Sequence, residues 1–376
     1  MKKFISLILC FCLLFTVTGC RKKPIPTDPT EGLNNNNANQ PSTPNAQNNS
    51  VKPMIAVSVP AVTENTVKED GTLLFQYTYQ HMSLVLDKQD VADKIILDFL
   101  NRVDSTKETA DATAEMAKQY YNSKSWVPYL YHITYSPTRI DNKVLSLFGN
   151  NVVFTATTHP DRTCVSASYD LQTGDILTLA SIMTKDVTTE QICTLVLNGL
   201  KELAEGDYLY EGYQQTVKQR FQSDSSQDEA WYMTTTGLCF YFAPYEIAPY
   251  SSGVISVEIP YEKLASILHE AYLPDLIGTT SGNVTISNFN ADQMPNIDHI
   301  AEIVVNNTGK MYLIQTDGAI QDVRIIQTDS ASNYTIFAAN ALSTGDGIVL
   351  QVEDSLLKNL KLTYKSGAET QVKALG

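Results

Sequence analysis

Two copies of the tripeptide Ala-Pro-Tyr lie close together, at residues 243–245 and 248–250, between two alternating apolar runs. Prolines restrict the unfolded loop, so less entropy is lost when it is held in place. Tyrosines offer large amphipathic area at low rotamer cost, which is why binding loops favour them. The candidate ligand-binding residues of this loop are Tyr245, Glu246, Pro249 and Tyr250. Either these side chains meet a ligand, with the carboxylate facing a cation, or the tyrosines fold back onto the sheet as scaffold.

His159 is a further candidate for ligand binding. Asp161 follows two residues later, so the two side chains could form a general base pair, or the histidine could simply belong to a surface loop. No Gly-x-Ser-x-Gly, His-Glu-x-x-His or Walker pattern occurs, and His269-Glu270 lacks the second histidine of a zinc protease. The sequence predicts no cofactor, no metal site and no catalytic residue. An enzymatic activity stays possible, because a catalytic pair of carboxylates has no local sequence signature.

The first twenty residues have the pattern of a secretory signal. Lys2 and Lys3 precede an apolar run that is too short to span a bilayer comfortably. The run ends in Val-Thr-Gly-Cys at 17–20, which resembles the lipobox of bacterial lipoprotein precursors. That resemblance implies diacylglycerol attachment to Cys20 and cleavage just before it. An ordinary signal peptide with an unrelated cysteine is the alternative.

A polar segment rich in Asn and Pro follows, at residues 21–53. It has too few large apolar residues to bury a core, which predicts a disordered tether. Such a chain spans roughly 30 Å on average. Residues 21–23 are basic and could also touch anionic lipid headgroups.

The body of the chain is acidic. Without Lys2 and Lys3 the protein carries 25 basic and 41 acidic residues, a net charge of −16. This balance disfavours nucleic-acid binding, which needs a basic footprint for phosphate. It is compatible with neutral ligands and would steer cationic partners toward the protein, or it simply maintains solubility.

Three cysteines remain besides Cys20 once the signal is removed: Cys164, Cys193 and Cys239. An odd number cannot pair completely. Each cysteine lies in an apolar element, which favours buried free thiols, with a single disulfide as the alternative. The absence of a Cys-x-x-Cys or His-x-x-x-His spacing argues against zinc.

The hydrophobic pattern predicts an α+β protein: tandem antiparallel-sheet-plus-helix modules followed by a small β-sandwich. The predicted segments are a lipoprotein signal peptide (1–20), a disordered tether (21–53), an N-terminal α+β module (54–155), a second α+β module (156–276) and a β-sandwich domain (280–376). We expect residues 54–276 and 280–376 to fold separately, because seven or so short alternating runs separated by turn residues begin near 280.

Several local elements can be predicted from their patterns. Residues 87–122 have the periodicity of one long helix, and residues 262–272 of another. Thr188 and Gln191 form the pattern of a capping box. Gly174 provides the left-handed position that a short hairpin turn needs.

The second module resembles the extracellular domain of unknown function found in RsiV-like anti-sigma factors and ahead of the catalytic domain in some peptidoglycan deacetylases. The residues that carry this resemblance around the loop are Tyr245, Glu246, Ile247, Ala248, Pro249, Tyr250, Gly253, Glu258, Ile259, Pro260 and Tyr261. Those of an upstream run are Asp170, Leu171, Thr173, Gly174, Leu177, Thr178, Leu179 and Ile182. Together with a preceding partner module, the resemblance covers about 54–272. Relatives have a glycine pair, alanine and histidine where this chain has residues 156–159, Ala-Thr-Thr-His.

The resemblance implies an extracytoplasmic module of the cell envelope, which in the anti-sigma relatives binds lysozyme. We therefore expect a binding or sensing protein on the outer face of the bacterial cytoplasmic membrane, held there by its N-terminal lipid. Its expected partner is a wall glycan fragment or a basic, lysozyme-like protein, and not nucleic acid. The alternative function is a hydrolase or transferase that acts on peptidoglycan or polysaccharide through carboxylates.

Overall fold

The structure is a computed structural model of the chain. It describes residues 54–203, 208–222, 230–274, 280–290, 297–328 and 333–376. The predicted signal peptide, the predicted tether and the predicted lipid attachment at Cys20 lie outside the described residues.

The described elements comprise strands and short helices. The strands are β1 (Ala56–Ser58), β2 (Ala61–Val67), β3 (Leu73–Gln80), β4 (Ser83–Val85), β5 (Tyr129–Ile140), β6 (Val144–Phe154), β7 (Asp161–Asp170), β8 (Trp231–Met233), β9 (Gly237–Phe242), β10 (Ile255–Pro260), β11 (Val284–Asn288), β12 (His299–Val304), β13 (Lys310–Thr316), β14 (Ile320–Thr328), β15 (Asn333–Leu342), β16 (Asp346–Val352), β17 (Leu360–Ser366) and β18 (Glu369–Ala374). The helices are α1 (Gln89–Asp104), α2 (Lys107–Tyr120), α3 (Leu179–Ile182), α4 (Thr189–Leu203), α5 (Tyr213–Gln222), α6 (Tyr261–Leu264) and α7 (Asp354–Leu357). The predicted α+β class is confirmed. Within the described ranges, no helix is both long and apolar enough to cross a membrane.

The first sheet has the order β2-β3-β5-β6-β7 and is antiparallel except between β3 and β5. Alternate side chains of β5 are buried, as expected where one face of a strand meets helices. The buried stripe of α1 packs on this face, with the Phe99 ring 5.2 Å from that of Tyr135. The first sheet and the helix pair α1–α2 thus enclose one core, which extends past residue 155 because β7 belongs to this sheet.

The prediction of one long helix over 87–122 is wrong, because two helices occupy that segment. The first helix ends at Asp104, before Ser105 and Thr106. Both hydroxyls donate to carbonyls three residues earlier, those of Arg102 and Val103, at 2.7 Å. Ser and Thr compete in this way with the helix ladder, and here two of them in succession end it.

The second sheet, β8-β9-β10, carries α4 and α5 on one face. The predicted capping box begins α4: the Thr188 hydroxyl accepts from Gln191 N at 3.3 Å, and the Gln191 side chain accepts from Thr188 N at 2.8 Å. Gly199 lets the helix approach β10 closely, because a Cβ there would lie 2.3 Å from Val257 Cγ2. The predicted turn residue Gly174 has φ +72°.

The prediction of a helix over 262–272 is also wrong. Helix α6 ends at Leu264, and a single 3-10 turn follows at Glu270–Tyr272. Between them Leu268 forms an isolated bridge with Met183, and the His269 N–H donates to Ile182 O at 2.8 Å. These tertiary hydrogen bonds replace the helical ones that the sequence periodicity suggested.

A buried arginine joins the first two modules. Arg139 on β5 is 1% exposed and donates to the Tyr261 hydroxyl at 2.8 Å and to Tyr272 O at 2.7 Å. Its charge is balanced by Asp141, whose carboxylate accepts from Nε at 2.7 Å. Because a buried charge is tolerated only when paired and hydrogen-bonded, this network fixes how the two modules meet.

The last part of the chain forms two further sheets, ordered β18-β17-β14-β15-β1-β4 and β11-β13-β16-β12, whose side chains share one buried cluster. The described residues after 280 form eight strands, where the sequence predicted about seven. Strands β1 and β4 come from the N-terminal module, and Ala56 lies opposite Ala339 of β15. Residues 54–376 belong to one compact unit. The division into separately folding domains at 276/280 stays a prediction.

The shared sheet gives a reason to expect the fragment 280–376 to fold poorly. Without β1, one side of β15 loses its backbone partners and becomes a hydrophobic sheet edge. We expect the isolated fragment to unfold less cooperatively in urea than the same residues within the full chain. Adding a peptide of residues 54–86 should restore a cooperative transition. A fragment that unfolds cooperatively alone, at the urea midpoint of the full chain, would contradict this expectation.

Candidate functional site

The connection between β9 and β10 is anchored at its middle. Ile247 and Ala248 are buried in the core of the second module. Their carbonyls accept from Tyr210 N at 2.9 Å and from Tyr245 N at 3.0 Å. The loop of residues 243–254 is thus held by its own backbone and by apolar burial. The residues at its tip have a defined conformation rather than a free one.

Glu246 points inward and not toward an external cation, as one interpretation of the sequence suggested. Its carboxylate lies 2.9 Å from the guanidinium of Arg220 on α5, and it also accepts from Ala243 N at 3.0 Å. Arg220 donates to Tyr241 O at 2.7 Å. Burial raises the pKa of Glu246, and the charge of Arg220 opposes that shift. The pair therefore fixes the base of the loop, and its charges largely cancel.

Tyr245 has a strained backbone and an exposed side chain. Its φ is +70°, in the left-handed region that side chains rarely occupy, and its side chain is 55% exposed. Its hydroxyl lies 3.0 Å from Nε2 of His159, within hydrogen-bond distance. Such backbone strain persists only where the surroundings enforce it, and it concentrates at functional sites.

His159 and Tyr250 form a stacked pair with Tyr245 beside it. The rings of His159 and Tyr250 are 4.0 Å apart and inclined by 20°, and the Tyr245 ring is 5.5 Å from that of Tyr250. The Tyr250 hydroxyl donates to Pro160 O at 2.7 Å. We call His159, Tyr245 and Tyr250 the loop cluster. Two segments of the chain, the β6–β7 turn of the first sheet and the β9–β10 loop of the second sheet, thus meet in a single aromatic surface.

Pro249 lies beside the loop cluster and is exposed. Its φ of −58° matches the value that its ring imposes, and its carbonyl accepts from Ser252 N at 3.0 Å. It thereby begins the 3-10 turn that carries Tyr250. Four of the five candidate binding residues lie at the protein surface around one point, and Glu246 lies beneath them.

The turn between β6 and β7 holds His159. Ala156 in this turn has φ +59°, and the Thr157 hydroxyl donates to His159 O at 2.9 Å. Ala156, with its left-handed backbone, lies in the stretch where the RsiV-like domains that the sequence resembles have glycines. The chain therefore keeps a left-handed backbone there without a glycine, at a cost of about 1–2 kcal/mol.

The geometry does not assemble a general base pair. Within the described residues, no hydrogen bond joins His159 to Asp161; the Nδ1 atom of His159 lies 3.4 Å from Pro160 O. Across the described ranges, no group of three or more His, Cys, Asp or Glu side chains could hold a metal ion. The loop cluster offers an aromatic and hydrogen-bonding surface.

The three cysteines Cys164, Cys193 and Cys239 are free thiols in the structure. Burial raises the pKa of both the Cys164 and the Cys239 thiol to about 11, and the nearby charge of Glu246 contributes to the shift at Cys164. A thiol with so high a pKa stays protonated at neutral pH and is a poor nucleophile.

Sequence reasoning missed Arg220, which lies 26 residues before its partner Glu246. Its position on the edge of an amphipathic helix gives no sign of a buried pairing. It also missed two ring contacts of Phe148, which is stacked on Tyr232 at 4.6 Å and meets Tyr241 edge-to-face at 5.0 Å. These contacts pack the second sheet against the first. The alternation of apolar and polar residues in β6, β8 and β9 was the only sequence signal that these side chains share a face.

Residues 181–262 match the family described as "Protein of unknown function (DUF3298)". The matched segment contains α4, α5, the second sheet and the 243–254 loop. No curated protein matches the chain.

Several solved structures are similar to the chain, among them two of the DUF3298 family. A member of the DUF3298 family from Bacteroides fragilis is 17% identical, with a TM-score of 0.42, and the alignment covers 57% of this chain and 94% of that one. A DUF3298 family protein from Pseudomonas aeruginosa is 14% identical, with a TM-score of 0.42 and coverages of 58% and 97%. At that level of similarity neither structure informs the function of this chain.

The strained turn gives a testable expectation for Ala156→Gly. Glycine removes the energetic cost of the left-handed backbone at this position. It also makes the unfolded chain more flexible, which lowers the free energy of unfolding by about 0.4–1 kcal/mol. We therefore expect the variant to be as stable as the parent chain or up to about 1 kcal/mol more stable. The matched control is Ala167→Gly in buried β7, which should lose about 1 kcal/mol or more. Urea unfolding of both variants provides the comparison. Equal losses would show that the Ala156 backbone is not strained in solution.

Proposed function

We propose that this protein is a lipid-anchored binding protein of the bacterial cell envelope that captures a glycan fragment of the wall at the loop cluster. The observation that carries the proposal is the exposed Tyr245 ring, held at a strained φ beside the stacked pair of His159 and Tyr250. Natural binding sites combine rigid aromatic area with a few fixed polar groups. The loop cluster supplies three rings, one of them an imidazole, and a tyrosine hydroxyl at one point of the surface.

A glycan suits this surface better than a cationic protein. Sugar rings present C–H groups, which carry partial positive charge, to the negative π face of an aromatic ring. Hydroxyl and N-acetyl groups can exchange hydrogen bonds with the Tyr245 hydroxyl. Glu246, the charge that would attract a basic partner, is already neutralised by Arg220. The net charge of the body would still speed the approach of a cation, but the site itself is close to neutral.

The proposed location rests on the sequence. The lipobox pattern ending at Cys20 supports acylation, and the tether of residues 21–53 would hold the body off the headgroups. The resemblance to the extracellular module of RsiV-like anti-sigma factors supports an envelope setting. The DUF3298 match includes the 243–254 loop, so the loop belongs to the part of the chain with recognisable relatives.

Truncation of Tyr245 distinguishes a role in ligand binding from a role in stabilising the fold. We expect Tyr245→Ala to weaken capture of soluble peptidoglycan fragments by about thirtyfold, since interface tyrosines can be worth about 2 kcal/mol. Its melting temperature should change little, because the side chain is 55% exposed. Tyr245→Phe keeps the ring and should retain most of the affinity. The measurement is calorimetric titration of the full chain in detergent, with Leu97→Ala on α1 as a distant exposed control.

Other results of that titration would contradict the proposal. Unchanged binding by Tyr245→Ala with a sharp drop in its melting temperature would make the cluster a scaffold. Salt-sensitive binding of lysozyme, with none of the glycan, would favour the basic-protein partner. Release of cleaved products from the fragments would favour the alternative, a hydrolase. The proposal is supported if the full chain binds the fragments without cleaving them, and if Tyr245→Ala loses this binding while Tyr245→Phe and Leu97→Ala keep it.

The anchor has its own test. We expect Cys20→Ala to abolish labelling of the protein by a radioactive fatty acid, because the acylated thiol is gone. The variant should either leave the membrane fraction or accumulate as an uncleaved precursor. Cys12→Ala, within the predicted signal, is the matched control and should label normally. Persistent labelling of Cys20→Ala would place the lipid elsewhere.

A further inference from the structure

Strand β18 forms one edge of the six-stranded sheet β18-β17-β14-β15-β1-β4. It pairs on one side with β17, with Gln371 opposite Tyr364, and no strand of the described ranges pairs with its other side. Val372 on β18 is 66% exposed, the largest exposed fraction among the large apolar side chains of the described residues. An unpaired edge presents backbone N–H and C=O groups to which a further strand can bind.

The backbone groups of three residues face the free side of β18. The Leu375 N–H donates to Leu360 O at 3.1 Å, which fixes the alternation of this antiparallel pair. Alternate residues from 369 to 375 therefore turn their backbone groups toward β17, and the residues between them turn theirs outward. An added antiparallel strand must form its hydrogen bonds with Thr370, Val372 and Ala374.

The side chains of β18 carry opposite charges near its two ends. Glu369, Gln371 and Lys373 share one face of the strand, and both charged residues are exposed. Charged residues on an edge strand deter pairing, unless the incoming strand places the opposite charge at each facing position. A partner that fits this edge must therefore carry a positive and a negative side chain four residues apart, in the reverse order.

A second copy of β18 meets this requirement. Antiparallel pairing centred on Gln371 forms backbone hydrogen bonds between Thr370 of one copy and Val372 of the other. In the same register Glu369 of each copy lies opposite Lys373 of the other, at a non-hydrogen-bonded position, where side chains approach most closely. The neighbouring registers, centred on residue 370 or 372, place neither charge opposite its counterpart. Charge complementarity thus selects one register of self-pairing.

The contacts that these side chains already make are compatible with the pairing. Lys373 Nζ donates to Val284 O at 2.7 Å and, with three N–H groups, can bind a carboxylate as well. One carboxylate oxygen of Glu369 accepts from Gln371 Nε2 at 3.3 Å, and the other oxygen can face the lysine of the second copy. On the opposite face of the strand, the exposed Val372 side chains of the two copies become diagonal neighbours.

We infer that β18 is a dimerisation edge, to which a second copy of this chain adds its own β18 in the antiparallel register centred on Gln371. The inference is independent of the ligand bound at the loop cluster. A strand of six residues buries less surface than a standard stable interface, so we expect a weak, reversible dimer with a dissociation constant on the order of 100 μM. The proposed lipid anchor would hold copies in one plane, where such an affinity suffices.

Charge reversal tests the pairing by sedimentation equilibrium of the full chain in density-matched detergent. Glu369→Lys and Lys373→Glu each place like charges opposite one another, so each variant alone should dimerise at least about tenfold more weakly than the parent chain. An equimolar mixture of the two variants restores both opposite-charge pairs and should recover most of the dimer. Glu108→Lys, at an exposed position of α2, makes the same charge change elsewhere and should dimerise like the parent chain.

A cross-link tests the register without altering either charge. Gln371→Cys places two thiols opposite each other on the two-fold axis, at the spacing of a non-hydrogen-bonded pair, which a disulfide can bridge. Mild oxidation should trap this variant as a dimer much faster than Asn65→Cys, an exposed control on the edge strand β2. Melting curves of all variants show whether they are folded.

Loss of the dimer in each single charge variant, with recovery in their mixture, supports the inference. It is overturned if the parent chain stays monomeric well above the expected dissociation constant, if the single variants dimerise as well as the parent chain, or if the folded mixture does not associate. Should Lys373→Glu fail to fold because it loses its bond to Val284, the cross-link decides. Trapping of Gln371→Cys no faster than that of Asn65→Cys would then overturn the pairing.

Discussion

The partly buried ion pair of Arg220 with Glu246 is the interaction on which the candidate site depends. A half-buried carboxylate is costly unless it is paired, and here one guanidinium and one backbone N–H satisfy it. The same arginine also binds the carbonyl of Tyr241 at the end of β9. The ion pair therefore ties α5 to the base of the 243–254 loop. The ion pair thereby fixes the rest of the 243–254 loop, including the left-handed backbone of Tyr245.

Two other constraints connect this loop to the rest of the molecule. The Tyr250 hydroxyl donates to Pro160 O, so the β9–β10 loop of the second sheet is tied to the β6–β7 turn of the first sheet. Arg139 joins the first sheet to the second module at the opposite end of β5, through Tyr261 and Tyr272. Contacts at both ends of the shared surface keep the modules from rotating against each other. A rigid placement of this kind is what a pre-formed aromatic site requires.

Much of the architecture follows from local pattern. Alternation identified the long strands, and the spacing of Thr188 and Gln191 identified the start of α4. The breaks in the predicted helices did not follow, because two hydroxyls end α1 and a tertiary bridge interrupts the segment after α6. The pairing of β1 with β15 could not be predicted either. It joins residues 283 positions apart, and no periodicity encodes such a partner.

For the site, sequence reasoning selected His159, Tyr245 and Tyr250 from two separate segments, and the structure brings all three together. They were selected because of their residue types and because prolines lie next to them. It could not find Arg220, since the partner of a buried charge is set by tertiary packing. It also treated Glu246 as available to a ligand, because a charge in a loop is usually exposed.

A crystal structure of the chain grown with chitotetraose tests the loop cluster most directly. We expect one sugar ring stacked on the Tyr245 ring at roughly 4 Å, the ordinary contact distance between carbon atoms, with its polar groups near the Tyr245 hydroxyl. The backbone of residues 243–254 should be the same with and without the sugar, because Arg220 and Glu246 already hold it. A sugar bound away from the loop cluster, or a loop that rearranges to admit it, would contradict the central claim.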